Sequence, residues 1–162
     1  MVEADPPPAQ FKARWIVPFL FGLWLALIFG TSCTVIRPHE FFQMIAAVTG
    51  AGQQTMESFA LFWGVVWFAV VKGWHFAEFA ILTFLTSAAL KWWHGSLTTG
   101  TISGAMLFCA AFAVTDEWHQ TFVPDRLGTV QDVLIDCLGV CTAGSILLVR
   151  GKRNAQQIPA QE

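Results

Sequence analysis

Charge is what this sequence has least of. Asp, Glu, Lys and Arg make up only 12% of its 162 residues, about half the usual share, whereas 55% are hydrophobic. A soluble domain of this size would need far more polar surface to cover such a core, so the bilayer is the natural solvent. Nine Lys and Arg against eleven Asp and Glu leave a net charge of −2. No basic patch results, and nucleic acid is not an expected partner. Neither H-E-x-x-H nor G-x-S-x-G occurs, so the local signatures of zincins and nucleophile-elbow hydrolases are missing. A disulfide framework is missing too. Cys33, Cys109, Cys137 and Cys141 all lie in or beside apolar segments, where free thiols behave as small apolar side chains. The first residues, MVEADPPPAQFKAR, carry acids and three consecutive prolines, and no small-residue cleavage site clearly follows the next apolar run. That run is therefore expected to be an uncleaved anchor.

What is present is a series of long apolar stretches. Trp15 to Cys33 is free of charge and close to the ~20 residues needed to cross ~30 Å of hydrocarbon. Pro18 falls in its first turn, where a missing N–H costs little. Residues 34–56 are mixed and read as a loop with one short amphipathic helix around 39–48. Ser58 to Val71 is apolar but only 14 residues long, and it meets Lys72-Gly73-Trp74. We expect it to lie in the interface; the alternative is a fifth span with a hairpin at residues 72–74. Phe76 to Trp93, Leu97 to Thr115 and Val130 to Val149 are long enough to cross. The middle one is rich in Gly, Ser, Ala and Thr, which suits a central position in a bundle. Thr129 and Asp132 match a helix-start capping pattern. The expected architecture is an all-α polytopic membrane bundle of about four transmembrane helices plus one interfacial helix. Its expected organisation is a cytoplasmic tail at 1–14, a transmembrane domain at 15–150 and a second cytoplasmic tail at 151–162.

With both termini inside, Lys12, Arg14, Lys91, Arg150, Lys152 and Arg153 are cytoplasmic, and Arg37, Lys72 and Arg126 are outside, in agreement with the positive-inside rule. Trp15, Trp92 and Trp93 then fall at inner edges and Trp74 and Trp118 at outer ones. Trp24, at mid-span, is the exception.

This threading gathers ionisable groups at one face. His75 and Glu78 open the second span, Asp116, Glu117, His119 and Gln120 end the third, and Asp132 and Asp136 open the fourth, with Arg126 in the loop between. The pairs 75/78, 116/120 and 132/136 have helical spacing and share faces. Carboxylates at the hydrocarbon edge are costly unless paired, protonated or wetted. Arg126 is the expected bidentate partner of Asp132 or Asp116. Plainer roles also fit: Asp132 as a cap companion, His75 as an interface histidine, Glu117 and His119 as solvated loop residues, Lys72 as a snorkelling flank, and the whole set as an ion-pair lattice that orients the helices.

These residues also carry a family resemblance. Asp116 to Gly139, DEWHQTFVPDRLGTVQDVLIDCLG, and Lys72 to Leu82, KGWHFAEFAIL, resemble the two motifs of VanZ-like membrane proteins. Asp125 stands where that pattern usually has Gly, Leu127 replaces a small residue, and Asp136 occupies a position that is often Asn. The resemblance implies a bacterial cytoplasmic-membrane protein of the group named for low-level resistance to the glycopeptide teicoplanin.

Two functional expectations follow. In the first, His75, Glu78, Asp116, Glu117, Gln120, Arg126, Asp132 and Asp136 form an outer-leaflet binding site. It would engage a phospholipid or lipid-linked cell-wall precursor head group and need no cofactor. In the second, His75, Glu78, Asp116, Glu117 and His119 hold a divalent metal in a membrane-embedded hydrolase or transferase acting on lipid-linked substrates.

Overall fold

A computed structural model describes residues 15–35, 38–50 and 52–156. The expected tail at 1–14, Arg37 and residues 157–162 lie outside the described residues. The chain is all-α: α1 (Ile16–Ser32), α2 (Pro38–Thr49), α3 (Gln53–His94), α4 (Thr99–Gln120) and α5 (Val130–Gln156). Among the described residues three helices are long and apolar enough to cross a membrane, and α1 is a shorter apolar helix. A multi-pass membrane bundle is thus the architecture. Many large apolar side chains, such as Leu107, Leu134 and Leu138, are turned outward, as lipid-facing residues are.

Helix boundaries follow local chemistry. Pro38 stands at the first position of α2, where its fixed φ is already helical. Thr98 caps α4 by accepting the Thr101 N–H, and Thr101 returns the bond to the Thr98 N–H. Gly95 ends α3 in a left-handed conformation with φ 79°, which glycine adopts without cost. Helix α5 starts where Thr129 and Asp132 mark it, with the Asp132 N–H on the Thr129 hydroxyl at 3.1 Å.

The separate interfacial helix expected at 58–71 is not observed. A single 42-residue helix runs through Lys72-Gly73-Trp74 and is about 63 Å long, twice the hydrocarbon thickness. Gly73 costs only about 1 kcal/mol in a helix interior. Lys72 does not end the apolar run either, because its ammonium is neutralised by Asp132. The last span also outruns its expected end at Val149, since Gly151 is followed by helix-favouring residues and Arg153 sits in the last turn.

Helices α3 and α4 form the middle of the bundle, each packed against α1, α5 and the other; α2 packs on α3. Ile28, Phe79, Leu82, Cys109, Ala113 and Val140 make one buried core. On α4 the buried positions recur every three or four residues, from Ile102 through Ala105, Cys109 and Ala113 to Asp116. At Gly139, α5 rides directly on α3: an added Cβ would lie 2.2 Å from the Phe76 carbonyl. At one end of the bundle Trp15 meets Trp92, with ring centroids 5.3 Å apart. The mid-span Trp24 has a reason to be there, donating its indole N–H to the Glu78 carbonyl at 3.0 Å. The four cysteines are unpaired thiols.

Candidate functional site

At the end opposite Trp15 and Trp92, four helices deliver polar side chains to one place. Asp116 and Gln120, one turn apart on α4, are bonded to each other at 2.9 Å. The Gln120 amide also donates to Glu117 at 3.1 Å. The last residue of α1 closes on this group: the single Ser32 hydroxyl proton faces both Asp116 oxygens, at 2.7 and 2.9 Å. From the far side, the Thr129 N–H donates to Glu117 at 2.8 Å, so a carboxylate of α4 satisfies an open donor at the start of α5. Asp132 accepts the Thr129 hydroxyl at 3.0 Å and pairs with Lys72 of α3. His75 Nδ1 lies 3.2 Å from Asp136 and 3.9 Å from Glu117. One continuous network therefore runs from α1 through α4 and α5 to α3.

His75, Glu78, Asp116, Glu117, Gln120, Asp132 and Asp136 are all buried. Three non-adjacent stretches of sequence thus meet as their spacing implied, although two pairings differ from expectation. Arg126 does not take Asp132 or Asp116. Its guanidinium instead donates to the Thr31 carbonyl at the C-terminal end of α1, which also accepts the Thr34 N–H at 3.1 Å. Lys72, read as a flank, takes Asp132, because the uninterrupted α3 carries its stem along the start of α5. Glu78 lies beside this network, with the Thr31 hydroxyl 2.9 Å from its Oε1.

The metal donors named from sequence also sort differently. One donor atom each from His75, Glu117 and Asp132 lie within 4.8 Å of one another. Glu78 and Asp116 are engaged by the end of α1, and His119 turns away. Its ring stacks on Phe29 at 5.0 Å, and its Nε2 is 3.5 Å from the Cys33 sulfur. Residues that sequence reasoning missed are Thr31 and Ser32, and Thr129 was read only as a helix-start residue and not as a donor to Glu117. The first two were hidden as the polar close of an apolar span, although two hydroxyls side by side at a helix end are the signal such a contact leaves.

Beside the network is a cavity of about 730 Å³ between α1 and α3. Thr31, His75, Glu78, Gln120 and Arg126 line its polar side, and Leu27, Val35, Trp67, Val70, Val71 and Trp74 its apolar side. Of the Arg126 donors, one is committed to Thr31 and the buried Nε has no acceptor among the described residues.

A family model described as VanZ/LLP1 matches residues 17–150. No curated protein and no solved structure matches the chain.

Proposed function

This chain belongs to the VanZ/LLP1 family, and we propose that its polar end binds the head group of a phospholipid or lipid-linked cell-wall precursor. The cavity carries this reading. Its volume is that of a small-molecule site, and its two chemically distinct walls suit an amphiphile, apolar along Trp67, Val70, Val71 and Trp74 and polar at His75, Glu78, Gln120 and Arg126. Arg126 keeps donor capacity for an anion, and a guanidinium fits phosphate bidentately. A head group covered in this way would be less accessible to a glycopeptide, in keeping with the resistance phenotype after which the family is named.

The polar end would face outward in the cytoplasmic membrane. Lys91, Arg150, Lys152 and Arg153 all belong to the opposite end, as positive-inside placement of both termini requires.

The test is binding of a fluorescent polyprenyl phosphate to the protein in nanodiscs, with the matching uncharged polyprenol as control. Wild type should prefer the phosphate at least tenfold. Arg126→Ala should lose that preference while inserting normally, and in cells it should remove any protection against teicoplanin. Equal affinity for phosphate and alcohol, or full binding by Arg126→Ala, would exclude an anionic head group held by Arg126.

A further inference from the structure

We propose that the polar end also holds one divalent transition-metal ion, bound by His75 of α3, Glu117 of α4 and Asp132 of α5, with Asp136 completing the set. This goes beyond the head-group reading and does not depend on it. The three donors lie within 4.8 Å of one another, and all three side chains are buried. Donors about 2.0–2.1 Å from a tetrahedral ion are separated from each other by roughly 3.3 Å. His75 Nδ1 is already 3.2 Å from Asp136 Oδ1 and 3.9 Å from Glu117 Oε1. Closing the donors from at most 4.8 Å to that spacing takes changes of no more than about 1.5 Å.

A separate observation points to an ion. Asp136 is 0% exposed, and its Oδ2 has no hydrogen-bond partner among the described residues. A buried carboxylate oxygen with no partner is expensive. Its other oxygen lies 3.2 Å from His75 Nδ1, so the orphaned carboxylate touches one member of the donor group. The remaining oxygens are held as metal ligands usually are, by neighbours that orient them. The Thr129 N–H fixes Glu117 Oε2 and the Thr129 hydroxyl fixes Asp132 Oδ2.

Charge balance agrees. Among the described residues, Glu78, Asp116, Glu117, Asp132 and Asp136 have two fixed cations near them, Lys72 on Asp132 and Arg126 beside Glu78. Surplus negative charge at a membrane-embedded site calls for a counter-charge, which an ion supplies directly. Lys72 now occupies Asp132, so ammonium and ion compete for that carboxylate. One imidazole among carboxylates suits zinc, manganese, iron or cobalt better than the all-oxygen shells favoured by magnesium and calcium.

The experiment uses full-length protein purified in detergent, stripped with EDTA and then offered Zn²⁺ or Mn²⁺. Metal analysis after desalting should find one equivalent per chain. His75→Ala and Glu117→Gln should each weaken binding at least tenfold, whereas His119→Ala and His94→Ala keep the ion. Pulsed EPR of the Mn²⁺-loaded wild type should show coupling to one imidazole nitrogen, a readout that needs no variant to fold. No retained ion, retention undiminished in His75→Ala, loss in His119→Ala, or no nitrogen coupling would each overturn the proposal. Arg126→Ala should keep the ion whatever it does to lipid binding, so the two readings fail separately.

Discussion

The bond between Ser32 and Asp116 ties α1 to the rest of the polar end, and Ser32→Ala removes it with little change of shape. Both residues are buried, and the hydroxyl proton faces the carboxylate at 2.7 and 2.9 Å. A buried hydrogen bond to a charged group contributes about 1.5–3 kcal/mol. One proton serves both oxygens, so this is one bond, worth about 2 kcal/mol in the middle of that range. For a chain of this length each kcal/mol moves Tm by about 2–4 °C, so Ser32→Ala should melt roughly 4–8 °C lower. The assay is thermal unfolding in detergent of Ser32→Ala, Asp116→Ala and the double variant. Asp116→Ala also strips Gln120 of an acceptor, but that loss is common to the single and double variants and cancels in the cycle. A coupling of at least 1 kcal/mol is expected, against additivity within about 0.5 kcal/mol for sites that do not interact. Thr142→Ala is the control. Its exposed hydroxyl bonds only the Leu138 carbonyl of its own helix, so Tm should stay unchanged. Additive effects, or a silent Ser32→Ala, would mean that α1 is held by apolar packing alone and that the polar network ends at α4. Because Thr31 and Ser32 also line the cavity, a loosened α1 should weaken lipid binding in parallel.

Gly139→Ala should destabilise by about 1–3 kcal/mol: the new Cβ would sit 2.2 Å from the Phe76 carbonyl and 3.1 Å from the Ala80 nitrogen, backbone atoms that cannot turn aside. Gly104→Ala, inside α4 with nothing within 4 Å, should be neutral or stabilise by up to about 1 kcal/mol, and equal Tm values for the two would refute close packing of α5 on α3. In the turn before α5, Asp125 has φ 63°, a conformation that costs a residue with a Cβ roughly 1–2 kcal/mol. Asp125→Gly should therefore be more stable than Asp125→Ala by about 1 kcal/mol. Both variants lose the same side chain, so their difference in chemical or thermal unfolding isolates the backbone, and no difference would show the turn to be unstrained.

That turn shows how sequence and structure divide the information. The resemblance marked Asp125 as a departure from a usual Gly, and the positive φ explains why Gly is the usual residue there. Spans, the restart of α5 at Thr129 and the meeting of His75, Asp116, Glu117, Asp132 and Asp136 at one end were all legible. Each depends on hydropathy, capping chemistry or helical spacing, which are local in the chain. The loss of the break at residues 72–74 was not legible. A lysine after an apolar run reads as the edge of a span, and only its pairing with Asp132, 60 residues away, removes the charge that would have ended it.

Which partner each charge takes was likewise decided in three dimensions. Arg126 precedes Asp132 by six residues and follows Asp116 by ten, yet it reaches across to the Thr31 carbonyl. Glu117 caps a helix to which it does not belong. By itself the sequence determined that this is a membrane bundle and that His75, Glu78, Asp116, Glu117, Asp132 and Asp136 share its polar end, because burial and periodicity follow from side-chain chemistry taken one helix at a time. The tertiary structure decided the pairings, the cavity and the donor group of His75, Glu117 and Asp132. Hydrogen bonds and metal ligation require atoms within a few ångströms, and such distances arise only from how α1, α3, α4 and α5 cross.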